Sequence, residues 1–238
     1  MMGRKHLKDN NTMADIAGGR ARVYDLLVGV FGHIPDQHYL DRIMGDDLMQ
    51  FLETCCDMNS ATFKSGVDHV NAYHSLAMSR PVEEVLEEMG VDRTAIMRGT
   101  GHHDLKPPHE TLYRGRENAG ESLLEIKRFY RKAGLIPEDR VNESPDYLCV
   151  ELDFMRLLCL REQKQWSKNE AVAETIAHEE AFLVNHLGNW VGAFCEQAQR
   201  HARTDFYRGF AMILDAFVAM DLAFIREFDI EIERKENN

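Results

Sequence analysis

Proline is scarce in this chain, 6 residues in 238, and no Pro-rich or Gly/Ser-rich linker interrupts it. With so few breakers the backbone is left to helices joined by short connections. The five cysteines (Cys55, Cys56, Cys149, Cys159 and Cys195) are an odd number without a C-x-x-C pair. That argues against a disulfide framework or a thiolate zinc site and fits a reducing compartment. Cys149 and Cys159 fall within an apolar helical pattern, where a thiol behaves as a small hydrophobe. The N-terminus, MMGRKHLKDNNTM, lacks the apolar core of a signal peptide, and the most apolar later segment, Phe210 to Ile225, is broken by Asp215 and Asp221. A cytoplasmic protein without stable membrane insertion is expected. Positive charge is also short: 28 Lys and Arg face 40 Asp and Glu, a net charge of −12. Such a surface repels a phosphate backbone and attracts a basic peptide, so nucleic acid is not an expected partner.

The usual catalytic signatures are missing too. There is no phosphate-binding G-x-x-x-x-G-K-[ST] loop and no Gly-x-Ser-x-Gly elbow, and Gly99-Thr100-Gly101 is too short for a dinucleotide fingerprint. None of the 11 histidines follows an acidic residue by three positions, as a di-iron bundle requires. His178 and His186 would lie within roughly 80° of each other on one helix, close enough to share a site with Glu179 or Glu180. They are the one candidate for a helical metal-binding enzyme. His102-His103-Asp104 is a poorer cage, because adjacent ligands on a loop cannot easily surround an ion. No resident cofactor or metal is expected.

What is present is helical periodicity. Residues 1–12 read as a tail before a domain over 13–238. Ile16, Val23, Leu27 and Val30 follow helical spacing until Gly32 and Pro35. Short helices are predicted at Tyr39–Ile43 and Leu48–Cys55. Ser60 caps a longer one carrying Phe63, Val67, Val70 and His74, and Pro81 suits the first turn of another that ends near Gly90. Periodicity then disappears over 99–120, a stretch with four glycines and three histidines that reads as a long functional loop. Beyond it a helix over Glu121–Ala133 stops at Gly134. Ser144-Pro145-Asp146 reads as the cap and first turn of a helix running to about Trp166. A helical stretch spans Asn169 to Arg200 with a break near Gly188, and the last helix covers Thr204 to Phe228. No 20–50-residue repeat suggests a solenoid. The predicted class is all-α: one helical bundle of about nine to eleven helices, in a part up to residue 98, the loop, and a part over 121–228.

Two stretches are distinctive together. Lys106-Pro107-Pro108-His109-Glu110-Thr111-Leu112-Tyr113 closes the loop. Glu143-Ser144-Pro145-Asp146-Tyr147 precedes Glu151-Leu152-Asp153-Phe154-Met155. Ser144 and Asp146 can simply start a helix, where the dipole favours a carboxylate. They can also build an acidic and aromatic pocket, since carboxylates pair bidentately with guanidinium and tyrosine stacks on its plane.

These stretches resemble the TorD/DmsD/NarJ family of redox-enzyme maturation chaperones, whose Glu-x-Pro-Asp-His motif opens a helix and is followed by Glu-Leu-x-Phe-Met. Tyr147 stands where the family has histidine. Pro108-His109-Glu110-Thr111 corresponds to the family's Pro-Tyr-Glu-Ser-type loop. Tyr24 with Leu27, Phe182-Leu183 through Trp190, and the aromatic last helix extend the likeness over about residues 20–225. The resemblance implies an all-α assembly chaperone and no catalysis. Such a protein binds the twin-arginine signal peptide or apo-form of a molybdenum-containing oxidoreductase until the cofactor is inserted, as a monomer or a domain-swapped dimer. It further implies peptide binding by Asp146, Tyr147, Glu143 and Glu151, with Tyr113 and Glu110 on the loop side and Tyr24 approaching from the first helix. A factor acting on a non-exported subunit is the related alternative.

Overall fold

The computed structural model describes residues 9–43, 45–55, 60–115, 119–137 and 143–236. The expected tail lies outside the described residues up to residue 8, as does Cys56. Among the described residues there are eleven helices and one isolated antiparallel bridge, His109 with Tyr147. None of these helices is long and apolar enough to cross a membrane.

The first helix, α1 (Asn10–Gly32), starts earlier than its apolar pattern suggests, because the Asp9 side chain accepts from the Thr12 N–H and caps it. Short α2 (Gln37–Ile43) and α3 (Asp46–Cys55) follow, then α4 (Ala61–Ala77), capped by Ser60 through the Phe63 N–H. Helix α5 (Val82–Arg98) runs straight through Gly90, where a stop is predicted. It ends instead at Gly99, in the left-handed region at φ 61°. Pro81 sits just ahead of its first turn as the N-cap. The predicted loop over 99–120 contains a single turn, α6 (Glu110–Tyr113), and the start of α7 (Ala119–Ala133). Helices α8 (Leu148–Lys168), α9 (Ala173–Asn185), α10 (Leu187–His201) and α11 (Asp205–Glu236) complete the chain. The predicted break near Gly188 falls at His186, which caps both neighbours in a non-helical conformation.

Helix α8 begins deep inside the protein. Eight consecutive residues, Leu148 to Met155, are buried, which is how a helix reads when neighbours surround it. Helix α1 lies along it, while α11 packs against α4, α9 and α10. Helices α4 and α11 touch backbone to backbone at Gly66 and Gly209. A Cβ on Gly66 would stand 2.7 Å from the Gly209 carbonyl oxygen, and one on Gly209 would stand 2.5 Å from that of Gly66. Both positions therefore require glycine for close approach.

Candidate functional site

The two distinctive stretches meet at the N-terminal end of α8. The helix begins at Leu148, not at Ser144, because residues 144–147 are drawn into pairing with the loop before α6. The Glu110 N–H donates to the Asp146 carbonyl at 2.9 Å, and the Leu148 N–H donates to the Pro108 carbonyl at 3.0 Å. Segment 108–110 is thus a strap laid across the start of α8. Loop and helix are joined by main chain as well as by side chains.

Asp146 fastens the strap. Its carboxylate accepts from Ser144 Oγ at 2.5 Å, from Thr111 Oγ1 at 2.6 Å and from the Thr111 N–H at 3.3 Å, and lies 3.1 Å from His109 Nδ1. Asp146 is only 1% exposed. Burial would raise its pKa, but the hydrogen bonds from His109, Ser144 and Thr111 outweigh it and hold the carboxyl well below the usual range.

Glu110 and Glu151 are buried behind it. Glu110 pairs with Arg114 and lies 3.1 Å from His186 Nδ1, while Arg114 also donates to the Asn185 carbonyl at 2.6 Å. Strap and α9–α10 junction are joined in this way. Glu151 Oε2 accepts from Trp190 Nε1 at 3.0 Å, whereas its Oε1 is buried without a hydrogen-bond partner. Burial, reinforced by Glu110 nearby, pushes the Glu151 carboxyl well above its ordinary pKa. Tyr113 is half-buried; its hydroxyl is 2.9 Å from the Lys106 carbonyl and from Gln197 Oε1, and its ring packs against Trp190 at 5.5 Å. Tyr147 is half-buried against the His109 ring, and Glu143 is exposed.

Six of the seven residues singled out in the sequence are therefore brought together. The three deepest carboxylates face inward, against partners in the chain's own strap and helices. The seventh, Tyr24, lies elsewhere, in a charged network that sequence reasoning missed. Its hydroxyl donates to Asp221 Oδ2 at 2.6 Å. Arg20, one turn earlier on α1, reaches Asp221 of α11, Glu162 of α8 and Glu179 of α9, each at 2.5 Å. One guanidinium thus ties four helices, with all three carboxylates buried. Burial pushes Glu179 up to about 8 and raises Glu162, although Arg20 opposes both shifts. The only hint in the sequence is an aspartate inside the most apolar segment.

The metal-enzyme alternative is not supported by this geometry. Glu179 turns to Arg20 and His186 to Glu110, and the Phe129 ring lies 6.0 Å from the His178 ring and 5.4 Å from that of His186. Among the described residues no group of three His, Cys, Asp or Glu side chains could hold a metal ion.

The family model described as nitrate reductase delta subunit matches residues 46–196, and the chain belongs to that family. It is 25% identical over 206 residues to the chaperone protein TorD of Vibrio vulnificus strain CMCP6, covering 85% of this chain and 92% of that protein. To the chaperone protein TorD of Vibrio atlanticus it is 22% identical over 209 residues, 87% of this chain and 94% of the relative. The perchlorate reductase assembly chaperone protein of Dechloromonas aromatica is 27% identical over 115 residues, 47% of this chain and 51% of that protein. No solved structure matches the chain. The family and these relatives agree with the resemblance seen in the motifs and with a chaperone that is not an enzyme.

Proposed function

We propose that this chain is an assembly chaperone that holds a molybdenum-containing oxidoreductase, through its twin-arginine leader or a segment of its apo-subunit, until the cofactor is inserted. The observation that carries the reading is the alignment of almost the whole chain with proteins named as chaperones. It works in the cytoplasm, where cofactor insertion precedes export.

The recognition edge is the outer side of the strap. Glu143 offers an exposed carboxylate to a leader guanidinium, and the half-buried rings of Tyr147 and Tyr113 offer stacking surfaces beside it. Asp146, Glu110 and Glu151 act from beneath, by fixing the strap to the segment ahead of α8 and so holding the groups that flank it. Tyr24 contributes through the helix network. The overall charge of −12 draws a basic leader toward the surface and makes the encounter sensitive to salt.

Calorimetric titration with a synthetic twin-arginine leader tests this. Binding is expected to weaken as salt rises, to fall several-fold in Glu143→Lys, and to fall in Asp146→Asn as the strap loosens. Absence of binding to the leader of any oxidoreductase encoded beside the gene sinks the leader reading. A second form of the same function has a non-exported subunit as the client. Deleting only the client's leader separates the two forms, because binding survives in the second.

A further inference from the structure

Three helix faces meet in a groove of about 890 Å³ at the other end of α8, within the size range of ligand-binding clefts. Helix α1 lines it with Ile16, Gly19, Arg20 and Val23, the i, i+3, i+4, i+7 pattern of a single helix face. Helix α11 does the same with Phe217, Met220, Asp221 and Phe224. The third wall is α3, which contributes the Phe51 ring and, at the rim, exposed Asp47. Helix faces with this spacing normally meet another helix. Here Arg20, Val23, Phe217 and Asp221 are buried, while Ile16, Gly19, Met220 and Phe224 are left part-covered along a trough, where a Cβ built on Gly19 meets no atom within 4 Å.

The polar floor decides what kind of guest the trough suits. Arg20 is engaged by Asp221, Glu162 and Glu179, and Asp221 also accepts from Tyr24. These groups are engaged with one another and are buried at the bottom of the trough. Apolar side chains can lie over them. The wall residues Ile16 to Val23 span about 10 Å, some two turns of helix. That matches the shorter end of the apolar stretch of a signal peptide, about 7–15 residues. Such a stretch is preceded by basic residues. Asp47 at the rim and the acidic chain as a whole complement them, while the rim's own cation, Arg22, lies over the Phe51 ring at 5.0 Å.

We propose that the trough between α1, α3 and α11 seats the apolar stretch of the client's leader, folded as a short helix that completes a four-helix arrangement. This rests on the leader-binding reading above and adds a second contact to it. Leu148 and Glu162 are about 20 Å apart along α8. A leader of about 15–30 residues reaches both the strap and the trough.

The test is fluorescence anisotropy with a labelled synthetic peptide of two arginines followed by an apolar stretch of about twelve residues. A second peptide replaces that stretch with serine and glycine. Gly19→Leu fills the trough, and it is expected to weaken the first peptide about tenfold or more, a difference of about 1.4 kcal/mol. The melting temperature should stay at or above wild type, because leucine favours helix over glycine. Gly19→Ala should fall between, and the serine/glycine peptide should bind wild type and Gly19→Leu equally. If wild type binds the apolar peptide and Gly19→Leu binds it just as well, the trough is not the site, although the leader reading stands. If wild type binds neither peptide, the leader reading itself fails. A wild-type dimer that Gly19→Leu converts to monomer would assign the trough to a second copy and overturn the proposal.

Discussion

Glu179→Gln is the most discriminating single change in this molecule, because it alters the charge of the helix network while leaving its shape. In the folded chain Glu179 is surrounded by Arg20, Glu162, Asp221 and Cys159, with Tyr24 bonded to Asp221 beside it. Its pKa is raised from 4.5 to about 8, chiefly by burial. The folded state therefore holds a proton that the unfolded state releases between those two values. A group of this kind lowers stability as pH rises from about 4.5 to about 8, and its effect is level above and below. At 1.36 kcal/mol per pH unit the loss across that window is on the order of 5 kcal/mol. Glutamine copies the neutral carboxyl: one oxygen still accepts from Arg20 Nη2, and the amide occupies the place of Oε1, which has no hydrogen-bond partner in the wild type either. Urea unfolding at a series of pH values is the assay. The two proteins should have similar stability near pH 5, and the variant should pull ahead by several kcal/mol by pH 8.5. Parallel curves over that range would refute the reasoning, because they would mean that Glu179 keeps its charge when folded.

Arg20→Leu strands Asp221, Glu162 and Glu179 without their common cation and should cost about 3–5 kcal/mol; urea midpoints should show a smaller loss at pH 5 than at pH 8, since the carboxyls escape the penalty by protonating. Asp146→Asn acts with the opposite pH sign. Its folded pKa lies below the unfolded value, so its contribution is present above about pH 3.8 and lost as pH falls, and thermal melts should show a deficit of about 2 kcal/mol at pH 7 that narrows toward pH 3. Gly209→Ala places a methyl 2.5 Å from the Gly66 carbonyl and 2.8 Å from Val70 Cγ2; denaturant unfolding should show a cost of about 1–3 kcal/mol from overpacking, despite alanine's better helix propensity.

The helices were legible because their signals are local. Ser60, Gly134 and the apolar faces of α1, α4 and α11 act within a few residues of themselves. Errors arose where tertiary contacts override a local signal. Ser144-Pro145-Asp146 has the composition of a helix start, yet the main-chain bonds between 108–110 and 146–148 hold it outside the helix. Gly90 looks like a stop, but helical hydrogen bonding carries α5 past it. The Arg20 network was illegible for a different reason. Its partners lie 142 to 201 positions away, on three other helices, and no pattern in the chain relates them. Glu179 even invited a metal-site reading with His178 and His186, because helical spacing alone does not say which way a buried carboxylate turns.

The tyrosine at 147, where the family pattern has histidine, shows how a motif can change one of its side chains and keep its structure. In building the fold, residue 147 serves through its main chain: it caps α8 and forms the bridge with His109, and neither task depends on the ring. The imidazole beside Asp146 is supplied instead by the strap, where His109 Nδ1 stands 3.1 Å from Asp146 Oδ1 and the His109 ring lies against Tyr147 at 5.2 Å. The strap has histidine at 109 where the family's loop pattern has tyrosine. The two ring types are therefore exchanged across the bridge, and Asp146 keeps an imidazole next to it. A double exchange, His109→Tyr with Tyr147→His, should consequently preserve stability better than either single change. In a double-mutant cycle the two positions should couple by about 0.5–3 kcal/mol, the range for residues in direct contact. Additive losses would mean that each ring serves a partner of its own and that the exchange across the bridge is incidental.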